Sequence, residues 1–252
     1  MLGVATGALS STIGVGGAVI STPGIRALGA TPLQGVGSTL PSILPSAITG
    51  TLRYHREGLV YLPVVRKVVP WGAAAAVAGA IASVHFPGQG HVQMILTALL
   101  VGYTAWKTSR PPTAAQTIAA ASVTVESHFE WWRCGTIGLG AGLLSGFLGI
   151  GGGILMVPMF RGWLRLGLKE TVATSLACVG ILAVPGSIAH LANGTVDWAF
   201  ALPLCIGVVP GARLGAHWTV GASDRQLRRL IGVALGAMSV VYLAAESFAL
   251  AN

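Results

Sequence analysis

Two glycine clusters carry the chain's most suggestive chemistry: Gly14, Gly16 and Gly17 near the start, and Gly149, Gly151, Gly152 and Gly153 past the middle. Each glycine costs a helix about 1 kcal/mol relative to alanine, so an apolar segment should break or turn at such a run. The motif superficially resembles a phosphate-binding loop, but it lacks the Lys-Ser/Thr that follows in one and the strand that precedes it. Backbone N–H groups freed inside an apolar segment must be buried in protein or line a polar cavity. A half-helix N-terminus offers an anion unpaired donors and about half a positive charge. The pairs Ser38/Thr39 and Thr174/Ser175 would add hydroxyl donors, although such residues in helices also bond back to their own carbonyls. Arg213 is the most interior basic residue of the second half, hence a substrate candidate unless it snorkels to head groups. The seven carboxylates, Glu57, Glu126, Glu130, Glu170, Asp197, Asp224 and Glu246, fall in loops or near segment ends. His190 is therefore the proton-coupling candidate, since imidazole titrates in the useful range; the plainer alternative is that it satisfies a local hydrogen bond. The six histidines show no metal-ligand spacing and Cys134, Cys178 and Cys205 include no C-x-x-C pair, so no metal or cofactor is expected. No Ser-His or Cys-His constellation and no paired interior carboxylates point to catalysis.

The elements that must hold these residues are membrane segments. Of 252 residues 53% are hydrophobic and 9% charged, against about 25% charged in a soluble domain. The mean hydropathy is +0.75. A net charge of +8 could suggest nucleic acid, but that needs basic residues clustered on a wetted face; here they are spread thinly between apolar runs. Nucleic acid is excluded on that ground. Apolar segments run roughly over 2–23, 32–52, 62–84, 91–106, 134–160, 171–192, 198–219 and 228–250. Strand periodicity is absent, so the fold class is an all-α integral membrane protein. The N-terminus lacks the positive region of a cleavable signal and reads as the start of the first segment.

The chain also repeats itself. GALSSTIGVGGAVISTP (7–23) aligns with GLLSGFLGIGGGILMVP (142–158) at an offset of 135, with seven of 17 positions identical. At offset 136, Ser38-Thr39-Leu40 matches Thr174-Ser175-Leu176, and Gly50 and Gly58 match Gly186 and Gly194. Two repeats, 1–107 and 133–252, are expected, joined by a polar linker over 108–132. If all eight segments crossed fully, the Lys/Arg residues would split 7 to 8 between the two sides. If segments one and five instead turn back at their glycines, Arg26 stands alone outside and the other fourteen fall inside, as the positive-inside rule requires. The expected repeat is therefore one re-entrant or broken glycine-rich helix plus three transmembrane helices. Three crossings invert one half relative to the other and leave both termini outside. Paired interruptions of this kind point to a transport site; the alternative is close packing through small residues.

GLLSGFLGIGGGILMVPMF, LKETVATSLACV, AHLANGTVDW and GVVPGARLGA together resemble the sulfite exporter TauE/SafE family of bacterial membrane proteins, over essentially the whole chain. The first repeat departs from the pattern, with Gly-Val-Gly-Gly-Ala where the second has a full glycine run. The resemblance implies a secondary transporter exporting small anions such as sulfite or organosulfonates across the cytoplasmic (inner) membrane. The alternative is a membrane scaffold or accessory subunit whose glycines serve packing only. Expected partners are the small anionic substrate and membrane lipid, with a homodimer left open.

Overall fold

The computed structural model describes residues 1–85, 91–111 and 130–251, with backbone alone for Val84, His91, Glu246 and residues 248–251. These residues form ten helices and no strand. The first broken segment becomes α1 (Leu2–Ile13) and α2 (Ala18–Ala27), followed by α3 (Pro32–Arg56), α4 (Leu62–His85) and α5 (His91–Ser109). The second becomes α6 (Trp131–Leu148) and α7 (Gly153–Trp163), followed by α8 (Leu168–Ala192), α9 (Trp198–Gly221) and α10 (Asp224–Ala251). Both glycine clusters thus break their helices, and the order of elements repeats. Residues 112–129 of the expected linker, Glu126 among them, lie outside the described residues.

Side-chain caps set the starts of α3 and α9. Thr31 and Gln34 form a reciprocal capping box at the start of α3, a motif that satisfies two otherwise orphaned amides. Asp197 accepts from the Ala199 amide at the start of α9. Trp131 and Trp132 open α6, and the Trp131 ring packs 6.4 Å from that of Trp71 on α4.

Helices α4, α8, α9 and α10 are long and apolar enough to cross a membrane. Helix α3 is longer than 20 residues but less apolar, because its polar face turns inward: Ser38, Ser42 and Ser46, four residues apart, are all buried. The outward faces are apolar, with Ile206 and Val233 more than 70% exposed. Apolar outside and hydroxyl-lined inside is the arrangement of a protein surrounded by lipid.

The helix contacts are reciprocal between the repeats. Helix α1 packs on α9 and α6 on α4; α3 packs on α9 and α4 on α8; α5 pairs with its counterpart α10 and α3 with its counterpart α8. Small residues make the closest of these crossings possible. A Cβ on Gly7 would lie 2.2 Å from the Val208 carbonyl oxygen, and one on its counterpart Gly142 2.1 Å from that of Gly72. The counterpart helices run antiparallel where they touch. Along α3 and α8, Leu40 lies by Gly186, Ala47 by Gly180 and Gly50 by Leu176, and Gly37 lies by Thr195 just past the end of α8. Along α5 and α10, Gly102 lies by Ser239 and Ser109 by Gly232.

Candidate functional site

The two hairpin tips lie side by side in the interior. A Cβ on Gly153 would sit 2.6 Å from both the Gly14 carbonyl oxygen and the Val15 Cα. Gly16 and Gly151 both rest on the same wall, Ile43 of α3 and Val179 of α8, residues 136 apart like the hydroxyl pairs. The turns depend on left-handed backbone: Gly14 and Gly149 end α1 and α6 at φ 78° and 67°, a region that costs other residues about 1–2 kcal/mol.

Ending a helix inside the protein strands its last carbonyls, which must find donors. Several of them find one here. The Gly14 amide donates to Ser10 O and the Gly149 amide to Ser145 O. The Tyr54 hydroxyl donates to Ser11 O at 2.7 Å. Its counterpart in the second repeat is His190, whose Nε2 lies 3.1 Å from Gly146 O. The Ser175 hydroxyl donates to Gly14 O at 2.7 Å, and the Thr39 hydroxyl lies 3.4 Å from Gly149 O. These last two contacts cross between repeats. So do those of Ser38 and Thr174, which accept from the Asp197 amide at 2.8 Å and the Tyr61 amide at 3.1 Å. Both hydroxyl pairs therefore latch each half to the tip and helix start of the other. Thr39 also lies 3.0 Å from Val36 O in its own helix, so in its case the bond back to its own backbone is the shorter.

The open donors lie elsewhere. Ile20 and Leu155 are the first residues of α2 and α7 to donate within the helix, to Gly17 O and Gly152 O. The amides ahead of them are the open ones of a helix N-terminus. The Ser46 hydroxyl donates to that of Ser10 at 2.9 Å. In the second repeat the place of Ser46 is taken by Leu182, and the buried Ser145 hydroxyl has no partner among the described residues. The Thr6 hydroxyl, whose methyl group packs at the Gly17 turn, is likewise buried and unpaired.

His190 is completely buried. Its Nδ1 lies 2.9 Å from the Thr195 hydroxyl oxygen, which is itself 3.0 Å from the His190 carbonyl. If that hydroxyl donates to the carbonyl, both ring nitrogens must donate and the ring is charged. If it turns to donate to Nδ1, a neutral ring still donates from Nε2 to Gly146 O. Arg213 is exposed on α9, so the structure does not gather it with the tips. Tyr54 is the participant that composition and spacing passed over; the offset of 136 that pairs it with His190 was the available signal.

Removing the Ser175 hydroxyl should orphan the buried Gly14 carbonyl, at a cost of about 1–3 kcal/mol. Ser175→Ala is expected to lower the melting temperature in detergent, whereas Ser175→Thr, which keeps the donor, is expected to recover most of the loss. Wild-type melting of Ser175→Ala would remove the latch role.

A family model described as "Sulfite exporter TauE/SafE" matches residues 1–242. The chain is similar to the probable membrane transporter protein YunE of Bacillus subtilis, 27% identical over 86% of this chain and 85% of that protein. It is similar to YjnA of the same organism, also named a probable membrane transporter protein, at 26% identity over 90% of this chain and 92% of the other. A third relative, the probable membrane transporter protein MamO of Magnetospirillum gryphiswaldense, is 26% identical over 85% of this chain but only 39% of its own length. No solved structure matches.

Proposed function

The chain belongs to the sulfite exporter TauE/SafE family of membrane transporters, and from that premise we propose that it is a secondary transporter exporting small anions, sulfite or organosulfonates, across the inner membrane. Its two halves, residues 1–107 and 133–252, form an inverted repeat with both termini outside, and substrate passes by alternating access as they move against each other. The observation that carries this reading is the pair of touching tips, each made by a broken helix and held by hydroxyls of the opposite half. Broken helices meeting at a repeat interface are a recurring solution for binding ions within a membrane. The antiparallel run of counterpart helices supports inversion.

Substrate binds at the N-terminal turns of α2 and α7, around Gly16, Gly17 and Gly151 to Gly153, where partial positive charge and open amides converge. Ser145 and Thr6 supply free hydroxyls beside them. Thr39 and Ser175 act chiefly by holding the tips, and an export cycle must break and remake their bonds. His190 carries the coupling proton, a role supported by its burial and by the two proton states that its bonds accommodate.

The decisive measurement is flux in proteoliposomes with radiolabelled sulfite, sulfate, sulfoacetate and an unrelated carboxylate, each with and without a pH gradient. Saturable flux of sulfite or sulfoacetate above that of the carboxylate is expected. Counts equal to those of empty vesicles for all four would overturn the reading and leave a scaffold.

A further inference from the structure

We propose that Arg26 and Arg161 form the outer and inner electropositive mouths of one anion path, each drawing substrate from its own side; this rests on the transport reading above. The two arginines are 135 residues apart, like the glycine clusters. Each lies in the last turn of the returning helix of its hairpin, α2 or α7, and each is half-buried rather than turned fully outward. The Arg26 stem lies against α3, where a Cβ on Gly35 would be 3.3 Å from its Cγ. Arg26 is also within electrostatic reach of Tyr242 on α10. Arg161 is within electrostatic reach of Arg228 and Asp224, near the other end of the same helix. Arg228 and Tyr242 are fourteen residues apart, about 21 Å along a helix, within a stretch long and apolar enough to cross a membrane. Helix α10 thus acts as a ruler: the returning helices start in contact at the tips and finish at opposite ends of one spanning helix.

An arginine in a last turn is also favoured by the helix dipole, and inner arginines orient the chain. The dipole favours Arg26 as it does Arg161, but orientation does not: Arg26 is the single basic residue on the outer side of the inverted topology, where the positive-inside rule selects against it. A path that needs positive potential at both entrances does explain it. The inner entrance is the more cationic. At the same end of α10, between it and the end of α5, a cavity of about 460 Å³ is lined by Arg225, Arg228 and Arg229 together with Ser109, though not by Arg161 itself, and the buried Arg228 Nε has no hydrogen-bond partner among the described residues. Charge-lined clefts raise capture rates by about 10- to 1,000-fold at low salt, so the asymmetry favours loading from the inner face.

The test uses the full chain in oriented proteoliposomes. Arg161→Gln should raise KM about fivefold for anion offered at the inner face, with little change at the outer face, and Arg26→Gln should do the reverse; both should flatten the dependence of KM on ionic strength. A second readout does not require flux. With Cys134, Cys178 and Cys205 replaced by alanine, the exposed neighbours are made reporters as Ala27→Cys and Gly162→Cys and reacted with membrane-impermeant anionic (MTSES) and cationic (MTSET) thiosulfonates. Ala27→Cys should react from the outside only and Gly162→Cys from the inside only. The anionic-to-cationic rate ratio should fall about threefold when the adjacent arginine becomes glutamine. Labelling of both cysteines from one side, or unchanged rate ratios, would overturn the mouths even if flux is robust. KM shifts equal at both faces would overturn them as well. Absence of wild-type flux with opposite-side labelling and falling ratios would instead overturn the transport reading while leaving the electropositive mouths standing.

Discussion

Alanine at Gly152 is expected to cost about 2–5 kcal/mol and to abolish recovery of monodisperse protein. Two effects combine. Gly152 opens α7 at φ 69°, a left-handed conformation worth about 1–2 kcal/mol against a residue with a Cβ. That Cβ would also lie 2.2 Å from the Ala141 carbonyl oxygen, and because the obstacle is backbone of α6 the hairpin itself must open. Overpacking of this kind costs about 1–3 kcal/mol more. Gly162→Ala is the control: nothing lies within 4 Å of a Cβ there, and it should melt at or above the wild-type temperature. Gly151 separates folding from transport more cleanly. Alanine there meets the same left-handed cost of about 1–2 kcal/mol, at φ 77°, but its nearest obstacle is a side-chain atom, Val179 Cγ1 at 2.8 Å, which Gly151→Ala/Val179→Ala removes while keeping a methyl group at the tip. The double variant is expected to fold and to lose most anion flux. Full flux in a folded double variant would show that the tip touches no substrate.

Replacing His190 separates support from proton transfer. His190→Leu leaves the buried Gly146 carbonyl without its donor and should destabilise by about 1–3 kcal/mol. His190→Gln can still donate an amide N–H to that carbonyl and should restore most of the lost stability. It cannot exchange a proton near neutral pH. A one-unit pH gradient is worth about 1.4 kcal/mol per proton, so a one-proton carrier can accumulate its anion about tenfold. His190→Gln is expected to lose that accumulation while still exchanging anion downhill. Tenfold accumulation by His190→Gln would move the proton path elsewhere and leave His190 as the counterpart of Tyr54, a cap alone. Tyr54 shows what the cap role alone looks like: at the same place in the first repeat, a group that stays neutral near physiological pH makes the equivalent bond to Ser11 O.

Much of this was legible in the residues. Mean hydropathy and scarce charge required a membrane, and glycine's cost to a helix required breaks at Gly14–Gly17 and Gly149–Gly153. The offset of 135–136 paired the two halves and marked Ser38/Thr39 with Thr174/Ser175. What those hydroxyls do was not legible. Spacing along one chain says that two residues are equivalent, but not whose carbonyl each one meets; Ser175 and Gly14 are 161 residues apart. Arg213 read as interior because its segment is apolar, yet rotation about the α9 axis turns it outward, and no one-dimensional pattern in so uniformly apolar a helix fixes that angle.

The sequence by itself determined that the chain lives in lipid, that a glycine-rich stretch recurs in it, and that its helices break at both copies of that stretch, because these follow from composition and local backbone energetics. Only the tertiary structure decided which groups satisfy the broken ends. A carbonyl stranded inside a membrane protein must be met by whatever donor the packing brings within about 3 Å. Here the halves meet that demand by lending donors to one another.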